Sequence, residues 1–251
     1  MTAIYCFSGT GNSLFVARRL AQALDAQVIA IGPDAPLPDA DNVVWVFPAY
    51  AWGVAPVMRQ FIETVSAPDC WHTARHHMVV TCGDDIGLTH RQWRRLMQAR
   101  RWHDYGAYSV IMPNTYVLFP GFDVDSQHIE QQKLTSAEDR VSSIADMISC
   151  GFCGDDVVEG MAAWLKSAVV HPLFVRFAMD PTPFHATDAC SGCGKCALSC
   201  PMHNIMLSNG QPQWGTDCAM CLRCYHGCPT HAVAYGGITR GKGQYKGPVR
   251  D

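Results

Sequence analysis

The segment from Cys190 to Pro229 constrains the chain most, because it holds eight cysteines in two copies of one spacing. In each copy, two residues separate the first cysteine from the second and the second from the third, and three residues separate the third from a fourth that directly precedes a proline. The cysteines are Cys190, Cys193, Cys196 and Cys200 in the first copy and Cys218, Cys221, Cys224 and Cys228 in the second. The two copies are offset by 28 residues throughout.

Three thiolates at this spacing can bind three corners of one iron–sulfur cube, while the fourth, turned by its proline, reaches a neighbouring cube. The pattern resembles that of bacterial two-cluster ferredoxins. The resemblance implies two [4Fe-4S] clusters with crossed ligation. One cluster takes Cys190, Cys193, Cys196 and Cys228, and the other takes Cys218, Cys221, Cys224 and Cys200.

Two other uses of the cysteines are weighed against this one. A pair of zinc ribbons also uses C-x2-C pairs, but a tetrahedral four-thiolate site does not call for three evenly spaced cysteines and a fourth before proline. Disulfides are less favoured, because a chain of 251 residues can bury a core without them and the sequence shows no secretory signal.

Length and composition indicate one medium domain of about 150 residues and a smaller one. The first residues lack a basic region of the kind that precedes an export signal, so we expect a cytoplasmic protein in a reducing, oxygen-poor setting. The apolar stretch near 161–179 is interrupted by Lys166, His171, Pro172 and Arg176, which argues against a transmembrane segment. A net charge of -3 argues against a nucleic-acid partner.

The N-terminal segment predicts a strand, a loop and a helix. A short apolar run at 3–7 leads into the loop Ser8-Gly9-Thr10-Gly11-Asn12-Ser13, and apolar residues then recur at helical spacing. Hydroxyls, glycines and a helix N-terminus together favour a bound phosphate. The loop lacks the Gly-Lys-Ser/Thr of nucleoside triphosphate sites and the third glycine of the dinucleotide fingerprint.

This loop resembles the FMN phosphate loop of flavodoxins, whose pattern is Ser/Thr-x-Thr-Gly-Asn-Thr/Ser. Ser8, Thr10, Gly11, Asn12 and Ser13 match it position by position, and the loop follows the first strand, as it does in flavodoxins. The alternative is an ordinary glycine-rich turn between a strand and a helix.

The following segments fit a doubly wound sheet. Apolar runs predict five parallel strands at 3–7, 27–31, 42–47, 78–82 and 107–112. Helices are expected at 14–24, 57–65, 88–101 and 127–149. The fold class is therefore α/β: a flavodoxin-like, doubly wound, five-stranded parallel sheet with a second, small α+β domain of the bacterial ferredoxin type.

Flavodoxins cover the flavin ring with the loops at the carboxyl ends of two strands. The resemblance places Pro48, Ala49, Tyr50, Trp52 and Gly53 in one such loop, with Tyr50 and Trp52 as candidates for stacking on the ring. The other loop contains Cys82, Gly83, Asp84 and Asp85. The two carboxylates either oppose extra negative charge on the reduced flavin or simply stabilise the N-terminus of the next helix.

The whole chain resembles the bacterial flavodoxin–ferredoxin fusion family. We expect an FMN domain at 1–155, a hydrophobic connector at 156–183, a ferredoxin domain at 184–237 and a basic, glycine-rich tail at 238–251. The resemblance implies an electron carrier that passes single electrons between two [4Fe-4S] clusters, FMN and ferredoxin-type partner proteins. The alternative is an FMN-dependent reductase of a small substrate. The tail either folds back over the domains or is disordered, and the role of Cys150 and Cys153 stays open.

Overall fold

The computed structural model describes residues 1–248 and has an α/β domain followed by a small cysteine-rich domain. The α/β domain contains six strands and four α-helices, which alternate along the chain except that β3 follows β2 without a helix between them. Its strands are β1 Thr2–Cys6, β2 Gln27–Ala30, β3 Asn42–Pro48, β4 Arg75–Cys82, β5 His103–Ile111 and β6 Gly154–Asp156. Its helices are α1 Asn12–Ala23, α2 Pro56–Thr64, α3 Thr89–Arg100 and α4 Gln127–Ser149.

All neighbouring strands of this sheet are parallel, in the order β2-β1-β3-β4-β5-β6. The reversal of strand order between β1 and β3 is the switch point of a flavodoxin-like, doubly wound fold. The fold class predicted from the sequence is confirmed, with one correction: the sheet has a sixth strand. The sixth strand, β6, begins the acidic segment at 154–160 and pairs with Gly106, Ala107 and Tyr108 of β5.

Each face of the sheet is covered by apolar side chains, which explains why the central strands are continuously hydrophobic. On one face an aromatic group packs under α2 and α3, with Trp45 between Tyr5 and Trp102 at centroid distances of 5.3 and 5.8 Å. On the other face Val44 and Val79 pack with residues of α1 and α4. The two layers fix the loops at the carboxyl ends of β1, β3 and β4 beside one another.

The connector is largely helical. It contains α5 Ala163–Leu165, a π-helical turn Lys166–Val170 and α6 His171–Phe177, which together form one continuous helix, here called the connector helix. No helix among residues 1–248 has both the length and the apolarity needed to cross a membrane.

The small domain consists of two short antiparallel pairs and two single-turn helices. Strand β7 Phe184–Ala186 pairs with β10 Val233–Tyr235, and β8 Ile205–Ser208 pairs with β9 Gln211–Trp214. Helices α7 Lys195–Leu198 and α8 Arg223–His226 each follow a cysteine loop. The core of this domain also includes Val117 and Leu118, which come from the loop after β5. The two domains are therefore packed together.

Candidate functional site

The phosphate loop joins β1 to α1 at the switch point of the sheet. Gly11 adopts φ 101°, a left-handed conformation that glycine reaches without steric cost, and α1 begins at the next residue. Among residues 1–248, no hydrogen bond is donated by the backbone N–H groups of Gly9, Thr10, Gly11 or Asn12. The hydroxyl of Ser8 is buried and also has no protein partner. A phosphate monoester would satisfy these groups.

The side chains of Asn12 and Ser13 serve the protein instead. Ser13 Oγ lies 2.7 Å from Thr81 Oγ1 of β4, and both hydroxyls are buried. Asn12 Nδ2 donates to the carbonyl oxygen of Pro113 (2.9 Å), and Tyr245 donates its hydroxyl to Asn12 Oδ1 (2.7 Å). Both residues therefore hold the loop in shape, while Ser8 and the loop backbone present the groups that fit an anion.

The loop after β3 forms a tight turn at the carboxyl edge of the sheet. The N–H of Tyr50 donates to the carbonyl of Gly53, and the N–H of Gly53 donates back to Tyr50. Ala51 and Trp52 have positive φ angles of 44° and 63°, which are uncommon for residues with a side chain. A strained backbone conformation of this kind persists only where neighbouring groups stabilise it. Here His171 of the connector helix donates from Nδ1 to the Tyr50 carbonyl (2.8 Å).

The loop after β4 lies beside this turn, and its two carboxylates differ. Asp84 is exposed. Asp85 accepts a hydrogen bond from Lys166 Nζ (2.6 Å) and one from the N–H of Gly87 (3.1 Å). The Lys166 ammonium also lies 5.0 Å from the centre of the Trp52 ring. The connector helix therefore ties the two predicted flavin loops together and places a positive charge beside Asp85.

The eight cysteines of the small domain line two separate cavities. The first three cysteines of one motif share a cavity with the last cysteine of the other motif. One cavity is lined by Cys190, Cys193, Cys196 and Cys228, and the second by Cys200, Cys218, Cys221 and Cys224. Each group has four sulfur atoms, the number that one [4Fe-4S] cluster needs.

The backbone repeats with the same offset as the cysteines. Gly192 and Gly194 have φ angles of 67° and 73°, and their counterparts 28 residues later, Met220 and Leu222, have φ angles of 52° and 62°. Glycine adopts this conformation without strain, whereas methionine and leucine do so only when their surroundings enforce it. The second motif therefore keeps the conformation of the first despite its bulkier residues.

Backbone N–H groups donate to one sulfur atom in each cavity. Met220 donates to Cys218 Sγ (3.4 Å), and Ala232 donates to Cys228 Sγ (3.2 Å). Burial raises the pKa of Cys221 to about 12, so in the metal-free chain this group is a neutral thiol. Because only thiolates bind iron, filling such a site releases protons. Hydrogen bonds to the sulfur atoms are one means of setting a cluster's potential.

The second cysteine cavity adjoins the phosphate loop. A Cβ atom placed on Gly9 would lie 2.3 Å from the carbonyl oxygen of Cys221 and 2.7 Å from its Cβ atom, so the two backbones touch. Tyr50 donates its hydroxyl to the carbonyl of Ala219 (2.8 Å), inside the same cysteine loop. Burial, with Cys221 and Cys218 nearby, raises the pKa of Tyr50 well above its usual value and keeps it a donor.

The tail folds back over both domains. Lys242 Nζ donates to the carbonyls of Val117 and Phe119 at 2.6 and 2.7 Å. Gln244 Nε2 donates to the carbonyl of Cys228 (3.0 Å), and Tyr245 reaches Asn12 as described above. Of the two tail alternatives left by the sequence, the folded-back one is correct up to residue 248, while Arg250 and Asp251 lie outside the described residues.

The sequence did not single out Gln244, Tyr245 or His226 as site residues. The ring of His226 bridges the domains: Nε2 donates to the carbonyl of Thr115 (2.8 Å), and Nδ1 accepts from the N–H of Tyr245 (3.0 Å). The contact of His226 with Thr115 joins positions 111 residues apart, and no local pattern marks it. Cys150 and Cys153 are exposed at the end of α4, far in sequence from the other cysteines.

Comparison with known proteins supports the division seen in the structure. Residues 189–233 match the model of the 4Fe-4S dicluster domain. A comparison with curated sequences gave no match. The first domain has a flavodoxin-like strand order, and the second matches the dicluster model. This combination of domains is that of a flavodoxin–ferredoxin fusion, which confirms the resemblance stated from the sequence.

Solved structures similar to the α/β domain have low identity. The Trp repressor binding protein from Bacillus subtilis is 14% identical, with a TM-score of 0.40, covering 57% of this chain and 99% of that one. A flavodoxin, WrbA-like protein from Agrobacterium tumefaciens is 16% identical, with a TM-score of 0.39, covering 60% and 98%. A flavodoxin from Streptococcus pneumoniae TIGR4 is 10% identical, with a TM-score of 0.32, covering 57% and 97%.

Proposed function

We propose that the chain is an electron-transfer iron–sulfur flavoprotein that exchanges single electrons with partner proteins. In this proposal the two cysteine groups each hold one [4Fe-4S] cluster, and the loop from Ser8 to Ser13 holds the phosphate of FMN. When bound, the clusters supply one-electron steps and FMN accepts one or two electrons. The observation that carries the proposal is the contact between the phosphate loop and the second cysteine loop, at Gly9 and Cys221.

The chain's own residues fit this role. The unpartnered Ser8 hydroxyl and the free N–H groups that follow it would bind the phosphate oxygens. Tyr50 stays protonated and its hydroxyl bonds the loop after β3 to Ala219. This bond would hold the distance between a flavin at that loop and the second cysteine cavity constant. The cavity with Cys190 also contains Cys193, whose exposure would let the cluster held there exchange electrons with external partners.

The side chains of the predicted flavin loops are already in contact with other parts of the protein, which favours an electron carrier over a substrate-specific reductase. Trp52 lies under Lys166, the turn around Tyr50 is fastened to His171, and the Tyr50 hydroxyl contacts the cysteine loop. A reductase needs an open face on which a small substrate can lie against the flavin. These contacts take up the side chains that would line such a face.

An anaerobic redox titration followed by EPR and visible absorption tests this function. The protein should contain two [4Fe-4S] centres and one flavin per chain, each with a separate reduction step. A colourless protein that binds zinc would refute the proposal, since zinc sites do not absorb visible light. Two clusters without flavin would retain the ferredoxin role and refute the FMN assignment.

A further inference from the structure

The connector helix has its polar residues turned toward the protein. The N–H of Leu88 donates to Ser167 Oγ (2.7 Å), and this hydroxyl donates to the carbonyl of Trp52 (2.7 Å). His171 and Lys166 are likewise bonded to the loops after β3 and β4. The inner face of the helix is therefore held by hydrogen bonds and an ion pair.

The outer face of the same helix is apolar. Met161, just before the helix, is 88% exposed, and Trp164 and Phe177 near its two ends are each 68% exposed. The other exposed apolar residues of this face are Leu165, Val169, Val170, Leu173 and Val175. A surface helix ordinarily places apolar residues inward and polar residues outward, so this helix is inverted.

The apolar surface continues beyond the helix. Phe174 contacts Tyr116 edge-on at 5.8 Å, and Tyr116 contacts Phe122 at 6.0 Å. Phe122 and its neighbour Phe119 are both exposed, in the loop after β5. A continuous apolar surface of this extent marks an interaction site.

The outer face of the helix carries a single charged residue, Arg176. From Gly160 to Met179 the sequence contains no aspartate or glutamate, and its two charged residues are Lys166 and Arg176. Lys166 is paired with Asp85 on the inner side, whereas Arg176 lies exposed among the apolar residues. The chain as a whole has a net charge of -3, whereas the one charge on this face is positive. Exposed aromatic residues near both ends of an apolar helix face, with a cationic residue beside them, favour a position in a membrane interface.

We propose that the outer face of the connector helix docks on the surface of a lipid bilayer that contains anionic lipid. The helix from Ala163 to Phe177 has 15 residues and is about 22 Å long, too short for a hydrocarbon core of about 30 Å, so it lies in the interface. Because its inner face is bonded to the loops around Tyr50, Trp52 and Asp85, docking brings these loops close to the membrane.

Vesicle co-sedimentation of the full, cofactor-loaded chain tests the proposal. The probe is a vesicle of phosphatidylcholine mixed with an equal amount of phosphatidylglycerol, compared with phosphatidylcholine alone. The variant Leu173→Glu puts a carboxylate into the outer face. Its matched control, Ile129→Glu, makes the same change at a similarly exposed residue of α4 (42% against 51% exposed).

Wild type and Ile129→Glu should sediment with the anionic vesicles, and Leu173→Glu should bind at least tenfold less, because the outer face loses a buried apolar side chain and gains a charge that anionic lipid repels. Unchanged visible absorption shows that the variant is folded and loaded. Equal binding of Leu173→Glu and wild type, or no binding of wild type, would overturn the proposal. A wild-type dimer that Leu173→Glu converts to a monomer would show that a second copy covers this face, which also overturns it.

A second readout locates the contact. Of the seven tryptophans, all within the described residues, Trp164 is the one that is exposed. Brominated lipids should therefore quench a component of the tryptophan emission that is absent in Trp164→Phe, a variant that keeps the apolar face. Quenching that persists in Trp164→Phe would place the bilayer contact elsewhere and overturn the proposal.

Discussion

Replacing Gly9 by alanine tests the contact between the phosphate loop and the second cysteine loop. The added Cβ atom would lie 2.3 Å from the Cys221 carbonyl oxygen, and both partners are backbone, so neither can move aside by a change of rotamer. Gly9 is not in the left-handed region, so alanine is allowed there by its backbone angles. The substitution therefore acts through the contact alone and forces the two loops apart by about 1 Å.

The cost has two parts. Overpacking of this kind costs about 1–3 kcal/mol. A movement of about 1 Å would also stretch the Tyr50 to Ala219 hydrogen bond from 2.8 Å beyond bonding range, which costs about 1 kcal/mol more. The sum is about 2–4 kcal/mol, or a fall of roughly 4 to 16 °C in the unfolding midpoint of a chain of this size.

The assay is thermal unfolding of the loaded protein without oxygen, with Gly32→Ala as the control. A Cβ atom on Gly32 meets no atom within 4 Å, and its backbone is also outside the left-handed region, so this variant should unfold at or slightly above the wild-type midpoint. Equal midpoints for Gly9→Ala and Gly32→Ala would refute the reasoning, because they would show that the loops do not touch.

Three further predictions follow from the site and the core. Ser8→Ala should weaken FMN binding, measured by fluorescence titration, by about 1–3 kcal/mol, and leave the FMN-free chain as stable as before, because this hydroxyl has no protein partner; unchanged affinity would contradict the assignment. Cys228→Ala should remove the EPR signal of the cluster built by the first motif's leading cysteines and largely spare the other; loss of the second motif's cluster instead would disprove crossed ligation. Burial lowers the pKa of His76 and His77 to about 4, so each ring is neutral in the folded chain and gains a proton on unfolding below its ordinary value of 6.5. Stability should be full above pH 6.5 and fall by about 3 kcal/mol per histidine down to pH 4. In urea unfolding, His77→Leu should show a smaller loss of unfolding free energy between pH 6.5 and 4 than wild type. An identical pH dependence of the two proteins would contradict this prediction.

Local patterns in the sequence predicted most of the structure that carries the site. The resemblance of the cysteine spacing to that of two-cluster ferredoxins predicted the same two groups of thiols that line the two cavities. The hydroxyl- and glycine-rich loop was correctly placed between β1 and α1, and the helix Gln127–Ser149 was predicted with its observed bounds. Ligation and FMN binding stay predictions.

The rest depends on contacts between distant parts of the chain. The sixth strand is three residues long and acidic, so its pairing with β5 and the Arg140 to Asp156 ion pair, rather than its own composition, hold it in the sheet. The contact of Gly9 with Cys221 and that of Asn12 with Tyr245 span more than 200 residues. The connector was expected to be hydrophobic, but only the structure shows that its apolar residues face outward while Lys166, Ser167 and His171 face inward.

The central claim is that clusters and flavin exchange electrons within one chain, and rapid-mixing absorbance measures this directly. A one-electron reductant is mixed with the loaded protein over a range of protein concentrations, and the cluster and flavin bands are followed separately. Because both sites are held on one chain and touch at Gly9 and Cys221, flavin reduction by the clusters should proceed at a rate independent of protein concentration. Flavin reduction that slows in proportion to dilution, or that matches a mixture of the two separately made domains, would contradict the claim.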